Sequence, residues 1–300
     1  MRSNPTMTAH RLWLLARAAI AGWRADGAAS MGAALAFYAL FSVGPLLLLA
    51  VSIAGLAYGD AAARGEVARA LRGVMGDAGA AALQVLLKSV RAPGEGALGG
   101  LIGAGLLLLG AFSVLVELQN ALDRIWRAPP RRGAALLRAR LRSFAMVLGA
   151  GFLLLALLVV SAAVAALAAR GTAWPGGAAL AGAVDFAVSL ALVGATFALL
   201  YKTLPRVPVR WRDVWPGAAV SAVLFAIGKQ AIALYIGSTA LGSAYGAAAA
   251  LVVLLVWTYW STQIFLLGAE LVRVCAQARD ARAAPADPAP GGSAPAPPCL

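Results

Sequence analysis

Apolar residues in this chain fall in long runs rather than in alternation. Six stretches each hold about 20 or more mostly apolar residues: Met31–Tyr58, Ala97–Leu118, Ser143–Ala169, Ala178–Tyr201, Val214–Tyr235 and Tyr245–Leu271. That is the helix length needed to cross a hydrocarbon core of roughly 30 Å. The period-2 pattern of a membrane barrel is missing, and helices are the other structure that satisfies every backbone group in lipid. The pattern predicts an all-α, polytopic membrane protein with six transmembrane helices. The first run starts too late and is too long for a cleavable signal peptide.

The polar intervals add detail. Leu12, Leu15, Ala16, Ala19, Ile20 and Trp23 recur at helical spacing, with His10, Arg17 and Arg24 on another stripe. This predicts an N-terminal interfacial helix lying in the headgroup plane, or a helix packed on the cytoplasmic face. Gly59 to Gly96 predicts two short amphipathic helices, around Val67–Val74 and Leu83–Val90, capping a cavity or resting on the bilayer. The Pro/Ala/Gly-rich end predicts disorder. The expected organisation is an interfacial helix over 1–30, a six-helix domain over 31–276 and a disordered cytoplasmic tail over 277–300.

Charge placement orients the chain. Eighteen Lys and Arg fall on the side holding both tails, six on the other, and Lys229 lies within a span. The positive-inside rule then places both termini in the cytoplasm. The net charge of +13 faces an anionic leaflet, so membrane lipids are the expected partners and no nucleic acid is needed. Arg124, Arg127, Arg131 and Arg132 flank Ile125-Trp126 and Pro129-Pro130. They are candidate contacts for lipid headgroups or an envelope protein partner; topology control with snorkelling is the plainer alternative. No sequence feature fixes an oligomeric state.

Composition narrows the chemistry. The 300 residues are 62% hydrophobic and 12% charged, with a mean hydropathy of +0.83. This excludes an ordinary soluble enzyme and a disordered chain. Two cysteines, Cys275 and Cys299, exclude a disulfide-stapled fold, and a lone His10 excludes a multi-histidine metal site. There is no GxxxxGK[ST] loop, no HExxH and no Ser-His-Asp set within the spans. Asp26, Asp123, Asp213, Asp280 and Asp287 are scattered singly. The expectation is a protein that is not an enzyme, with no metal and no cofactor.

Charges inside a span are costly and mark function. Asp185 and Lys229 carry opposite charge at matching depth near the outer surface, in spans four and five. They are candidate substrate-binding residues, either meeting across the helix interface or snorkelling independently. Gln230 adjoins Lys229. Gln263, with Ser261 and Thr262, lies in span six, where inter-helix hydrogen bonding is the commoner role. Glu117 and Glu270, near the cytoplasmic ends of spans two and six, are placed to pair with the Arg-rich loops. Gly44-Pro45 predicts a kink in span one. Gly55/Gly59, Gly99/Gly103 and Gly242/Gly246 have small-xxx-small spacing.

Ala33-Ala34-Leu35-Ala36-Phe37-Tyr38-Ala39-Leu40-Phe41-Ser42, followed by Gly44-Pro45-Leu46-Leu47, resembles the first-span signature of the YihY/BrkB family of bacterial inner-membrane proteins. Tyr201-Lys202-Thr203-Leu204-Pro205 and Trp211 to Gly217 are similar to it too. So are Tyr245 to Ala248, Trp257 to Trp260 and Gln263 to Glu270. The departure is Ala249-Ala250, where the family pattern has Gly-Ser. The resemblance covers about Arg24 to Ala276. It implies a six-helix protein of the bacterial cytoplasmic membrane. Members have carried the label ribonuclease BN, one is named a virulence factor linked to serum resistance, and envelope lipid transport has been proposed for relatives. The expected function is transporter-like, in envelope homeostasis, with a lipid or amphiphile as cargo. The alternatives are a non-transporting scaffold docking partners on the basic loop and, disfavoured, a membrane-anchored ribonuclease.

Overall fold

The computed structural model describes residues 5–40, 84, 97–129, 133, 137–138, 141, 145, 177–238 and 249–283. Six continuous helices and no strand occur among them. They are α1 (Pro5–Ala25), α2 (Ala28–Leu40), α3 (Ala97–Ile125), α4 (Gly177–Thr203), α5 (Trp211–Ser238) and α6 (Ala249–Ala283). Spans two, four, five and six of the sequence reading thus form helices. Most of spans one and three lies outside the described residues, as do most of the external segment 59–96 and the tail 284–300.

Two stretches, Phe186–Thr203 in α4 and Leu251–Ala281 in α6, are long and apolar enough to cross a membrane. Only 17% and 39% of their apolar windows are buried inside the protein. A soluble core helix would bury most of that surface. Val184, Phe186, Val220, Val223, Ile227 and Leu234 point outward on α4 and α5. Exposed apolar side chains of this kind suit a surface that meets lipid. Trp211 and Trp215 are exposed where α5 begins, in the manner of an aromatic anchor at a headgroup boundary.

The other face of α5 turns inward at helical spacing. Val214, Ala218, Ser221, Ala222 and Ile232 are buried, and Gly217 and Gly228 lie on the same stripe. This stripe packs on α6, which also meets α1, α3 and α4, so the last helix is the hub of the bundle. The core gathers at one end. It joins Ala28 and Met31 at the start of α2, Leu122 and Ile125 at the end of α3 and Tyr201 at the end of α4. Val214 at the start of α5 and Val272 late in α6 complete it. The start of α2 and the last turns of α6 therefore share one end of the bundle.

Short backbone devices shape that end. Gly27, at φ +71°, breaks α1 from α2 in a left-handed conformation that favours glycine. At the end of α3 the Ala128 N–H donates to the Asp123 carbonyl at 2.9 Å and the Arg127 N–H to the Arg124 carbonyl at 3.1 Å. These are the two bonds of a Schellman cap, with Arg127 at φ +49° in the place glycine usually takes.

Several close approaches between helices fall at glycines. A Cβ on Gly217 would meet the Gly268 carbonyl oxygen at 2.8 Å, as well as Val272. Gly228 faces Trp260 and Gly32 faces Gln263. Gly55, Gly59, Gly242 and Gly246 lie outside the described residues.

Candidate functional site

The shared end of the bundle carries a polar layer. At its centre is Tyr201, 1% exposed. Its hydroxyl donates to the Phe265 carbonyl at 2.8 Å and lies 2.8 Å from Ser221 Oγ. With its own proton given to the carbonyl, the tyrosine oxygen accepts from the serine. One side chain thus ties α4, α5 and α6. Phe197 and Phe265 stack around the ring, at 6.1 and 5.0 Å between centroids.

Three arginines, each paired with a carboxylate, surround this centre. Arg206, in the α4–α5 connector, pairs with Asp123 of α3 at 2.9 Å. Arg279 of α6 pairs with Asp213 in the first turn of α5, and also with Asp280. Arg273 donates through Nε and Nη2 to Glu270 Oε2, at 2.9 and 2.7 Å. Glu270 is fully buried, and the Asp26 carboxyl of the α1–α2 turn lies against its carboxyl. Arg273 places a cation beside the two carboxyls. Gly22 of α1 packs onto this pair so tightly that a Cβ there would sit 2.6 Å from Arg273 Nη2. Lys202 donates to the Val209 carbonyl, and its ammonium lies 5.8 Å from the Trp211 ring centre.

The residues singled out in the sequence scatter more than these do. Lys229 is half-buried on α5 and already engaged, and Gln230 beside it is exposed. Asp185 lies on α4, but its side chain falls outside the described residues. Gln263 is a strut: its Nε2 donates to the Ala28 carbonyl at 3.2 Å, tying α2 to α6. Ser261 and Thr262 depart from the expected inter-helix role. Each donates to a carbonyl four residues back in its own helix, at 2.8 Å, which satisfies the hydroxyl without a partner helix. Glu270 finds its arginine on its own helix, three residues on, rather than in a loop. Arg124 is exposed at the end of α3, and Arg127 is exposed in the cap that follows it. Gly44, Pro45, Arg131 and Arg132 lie outside the described residues.

Sequence reasoning passed over Asp123 and Asp213 as isolated acids, and the structure gives each an arginine. Tyr201 and Ser221 carried no sequence signal beyond the apolar runs around them. Among the described residues, no three His, Cys, Asp or Glu side chains converge as metal ligands.

A sequence model of the family described as virulence factor BrkB matches residues 19–291. The chain is 34% identical over 174 residues to a UPF0761 membrane protein of Verminephrobacter eiseniae, covering 57% of this chain and 40% of that protein. It is 35% identical over 178 residues to a UPF0761 membrane protein of Klebsiella pneumoniae, covering 57% and 58%. A Pseudomonas aeruginosa relative of the same name is 34% identical over 178 residues, covering 57% and 41%. The matches thus span about half the length of these curated relatives. No solved structure matches this chain. The matched range runs from the last turns of α1 past the end of α6, and the chain belongs to the virulence factor BrkB family of membrane proteins.

Proposed function

We propose that this is a multi-pass protein of the bacterial cytoplasmic membrane, with both termini in the cytoplasm, that moves an amphiphile across the bilayer in envelope homeostasis. The observation that carries the proposal is Lys229, a half-buried cation that follows a long apolar stretch of α5. It follows Trp211 by 18 residues, and Asp185 precedes Thr203 by 18 residues on the adjoining α4. At ~1.5 Å per residue both charges stand about 27 Å from the polar end. A cation level with an acid, toward the far end of an apolar pair of helices, suits a zwitterionic headgroup. The core joining the start of α2 to the end of α6 supports an even number of crossings.

The test is lipid flipping in proteoliposomes, comparing wild type with Asp185→Asn and Lys229→Met. The proposal expects each variant to slow flipping at least tenfold. Equal rates in all three would overturn it.

A scaffold is the second reading, favoured by exposed Arg124, Arg127, Arg210 and Arg212 beside exposed Trp211 and Trp215. A scaffold would flip no lipid and would lose its partner on Arg124→Glu with Arg127→Glu. The acids Asp123, Asp213 and Glu270 are each held by an arginine, which gives the ribonuclease reading no support.

A further inference from the structure

Arg206 is held by one side of its guanidinium and open on the other. Nη1 donates to Asp123 Oδ2 at 2.9 Å. Nε and Nη2 are buried and meet no acceptor among the described residues. These two nitrogens form the side-on fork, a pair of parallel donors whose spacing matches two oxygens of one anion. Buried donors left in this way are rare in native proteins and call for an explanation.

A second observation lies one helical turn away. Gln119 precedes Asp123 by four residues on α3, so the two share a face. Gln119 is 1% exposed, and neither its Oε1 nor its Nε2 has a partner among the described residues. An amide buried so completely costs stability unless something hydrogen-bonds to it.

The local charge selects the sign of the missing group. Arg124 and Arg127 end α3, and Lys202, Arg210 and Arg212 flank the connector that carries Arg206. The two acids in these segments, Asp123 and Asp213, are already committed to Arg206 and Arg279. The surplus is positive, and it sits where α3 and α4 end. That is the level at which a headgroup or a dissolved anion would reach the fork.

We propose that Arg206 and Gln119 form a binding site for a phosphate group, the fork of Arg206 taking two of its oxygens and Gln119 Nε2 a third. Asp123 positions the fork by fixing the opposite edge of the guanidinium. The site lies at the other end of the bundle from Lys229 and does not depend on the transport proposal. The phosphate belongs either to a phospholipid headgroup or to a free anion.

The experiment is calorimetric titration of the full chain in a non-ionic detergent. The ligands are inorganic phosphate, dihexanoyl phosphatidylglycerol and, as the control lacking phosphate, dihexanoylglycerol. Binding in the lipid arm alone identifies a headgroup site, and binding in both phosphate arms identifies phosphate itself. Arg206→Lys keeps the charge facing Asp123 but loses the fork. Gln119→Leu replaces an amide with an apolar group of similar size and so tests the site without threatening the fold. Each variant is expected to weaken phosphate binding at least tenfold. The proposal fails if neither phosphate arm binds, if dihexanoylglycerol binds as tightly as the phospholipid, or if both variants bind within twofold of wild type.

Discussion

Tyr201 of α4 donates its hydroxyl proton to the backbone carbonyl of Phe265 in α6, 64 residues along the chain, at 2.8 Å. That carbonyl is also the acceptor for its own helix, so it carries two bonds, which its two lone pairs allow. The bond joins the two helices that carry membrane-length apolar stretches. It fixes their relative height, which apolar packing alone leaves free to slide.

Tyr201→Phe removes this bond and strands Ser221 Oγ in an apolar core. The expected loss is about 1–2 kcal/mol, above the average near 0.6 kcal/mol for a hydrogen bond between membrane helices, because one deletion breaks two bonds. Reversible unfolding in mixed micelles measures it. A double-mutant cycle with Ser221→Ala isolates the serine's share. Additive effects in that cycle would mean that the two hydroxyls do not interact.

Gly268 is one of the described positions that has no room for a methyl group. Its Cβ would land on both Ser221 Oγ and the Tyr201 hydroxyl, neither of which has room to withdraw. Gly268→Ala is expected to cost about 1–3 kcal/mol by overpacking. Gly217→Ala is expected to cost as much, because its Cβ meets the Gly268 carbonyl oxygen at 2.8 Å and backbone cannot move aside. Gly194→Ala is the control, since its nearest neighbour, Ala222 Cβ, stands at an ordinary 3.6 Å. Thermal unfolding should separate the first two variants from the third by several degrees.

Arg127 sits at φ +49° in the Schellman cap of α3, where an L side chain is strained and glycine is not. Its side chain is exposed, so little is lost on truncation. Arg127→Gly is expected to stabilise the protein by up to about 1 kcal/mol. A matched Arg124→Ala, one turn earlier in helical backbone, should show no such gain. Unfolding midpoints of the two variants in the same detergent decide the point.

The helices were legible in the sequence because a bilayer imposes a length on every apolar run. α3, α4, α5 and α6 fall where the runs at Ala97, Ala178, Val214 and Tyr245 place them, with ends displaced by a few residues except at the C-terminus of α6. That helix continues to Ala283, where Arg279 pairs with Asp213 of α5 and holds the extra turns against the bundle. The polar layer was not legible. Asp123 and Arg206 are 83 residues apart, and no local period brings them together. Asp213 and Arg279 likewise meet only when α5 and α6 are packed. Gln263 was visible as a polar group in a span, but its bond to Ala28 depends on the turn at Gly27, which sends α2 past α6. The glycines at the close approaches were not legible either. In a chain with 33 of them, only contact distinguishes Gly217 and Gly268 from the rest.

The pairing of Asp123 with Arg206 makes a prediction of its own. Both side chains are largely withdrawn from solvent, at 17% and 11% exposed. Bringing two charges out of water is costly, and their attraction offsets that cost only while both are present. Asp123→Asn should therefore destabilise by about 3 kcal/mol, because it leaves the guanidinium buried beside a neutral amide. Asp123→Leu with Arg206→Met removes both charges and should cost less than the single change, despite altering twice as many residues. Unfolding free energies for the wild type, Asp123→Leu alone, Arg206→Met alone and the double variant complete the cycle. If the double variant were the least stable of the four, the attraction between the two charges would outweigh the cost of withdrawing them from water, and the pair would contribute net stability of its own.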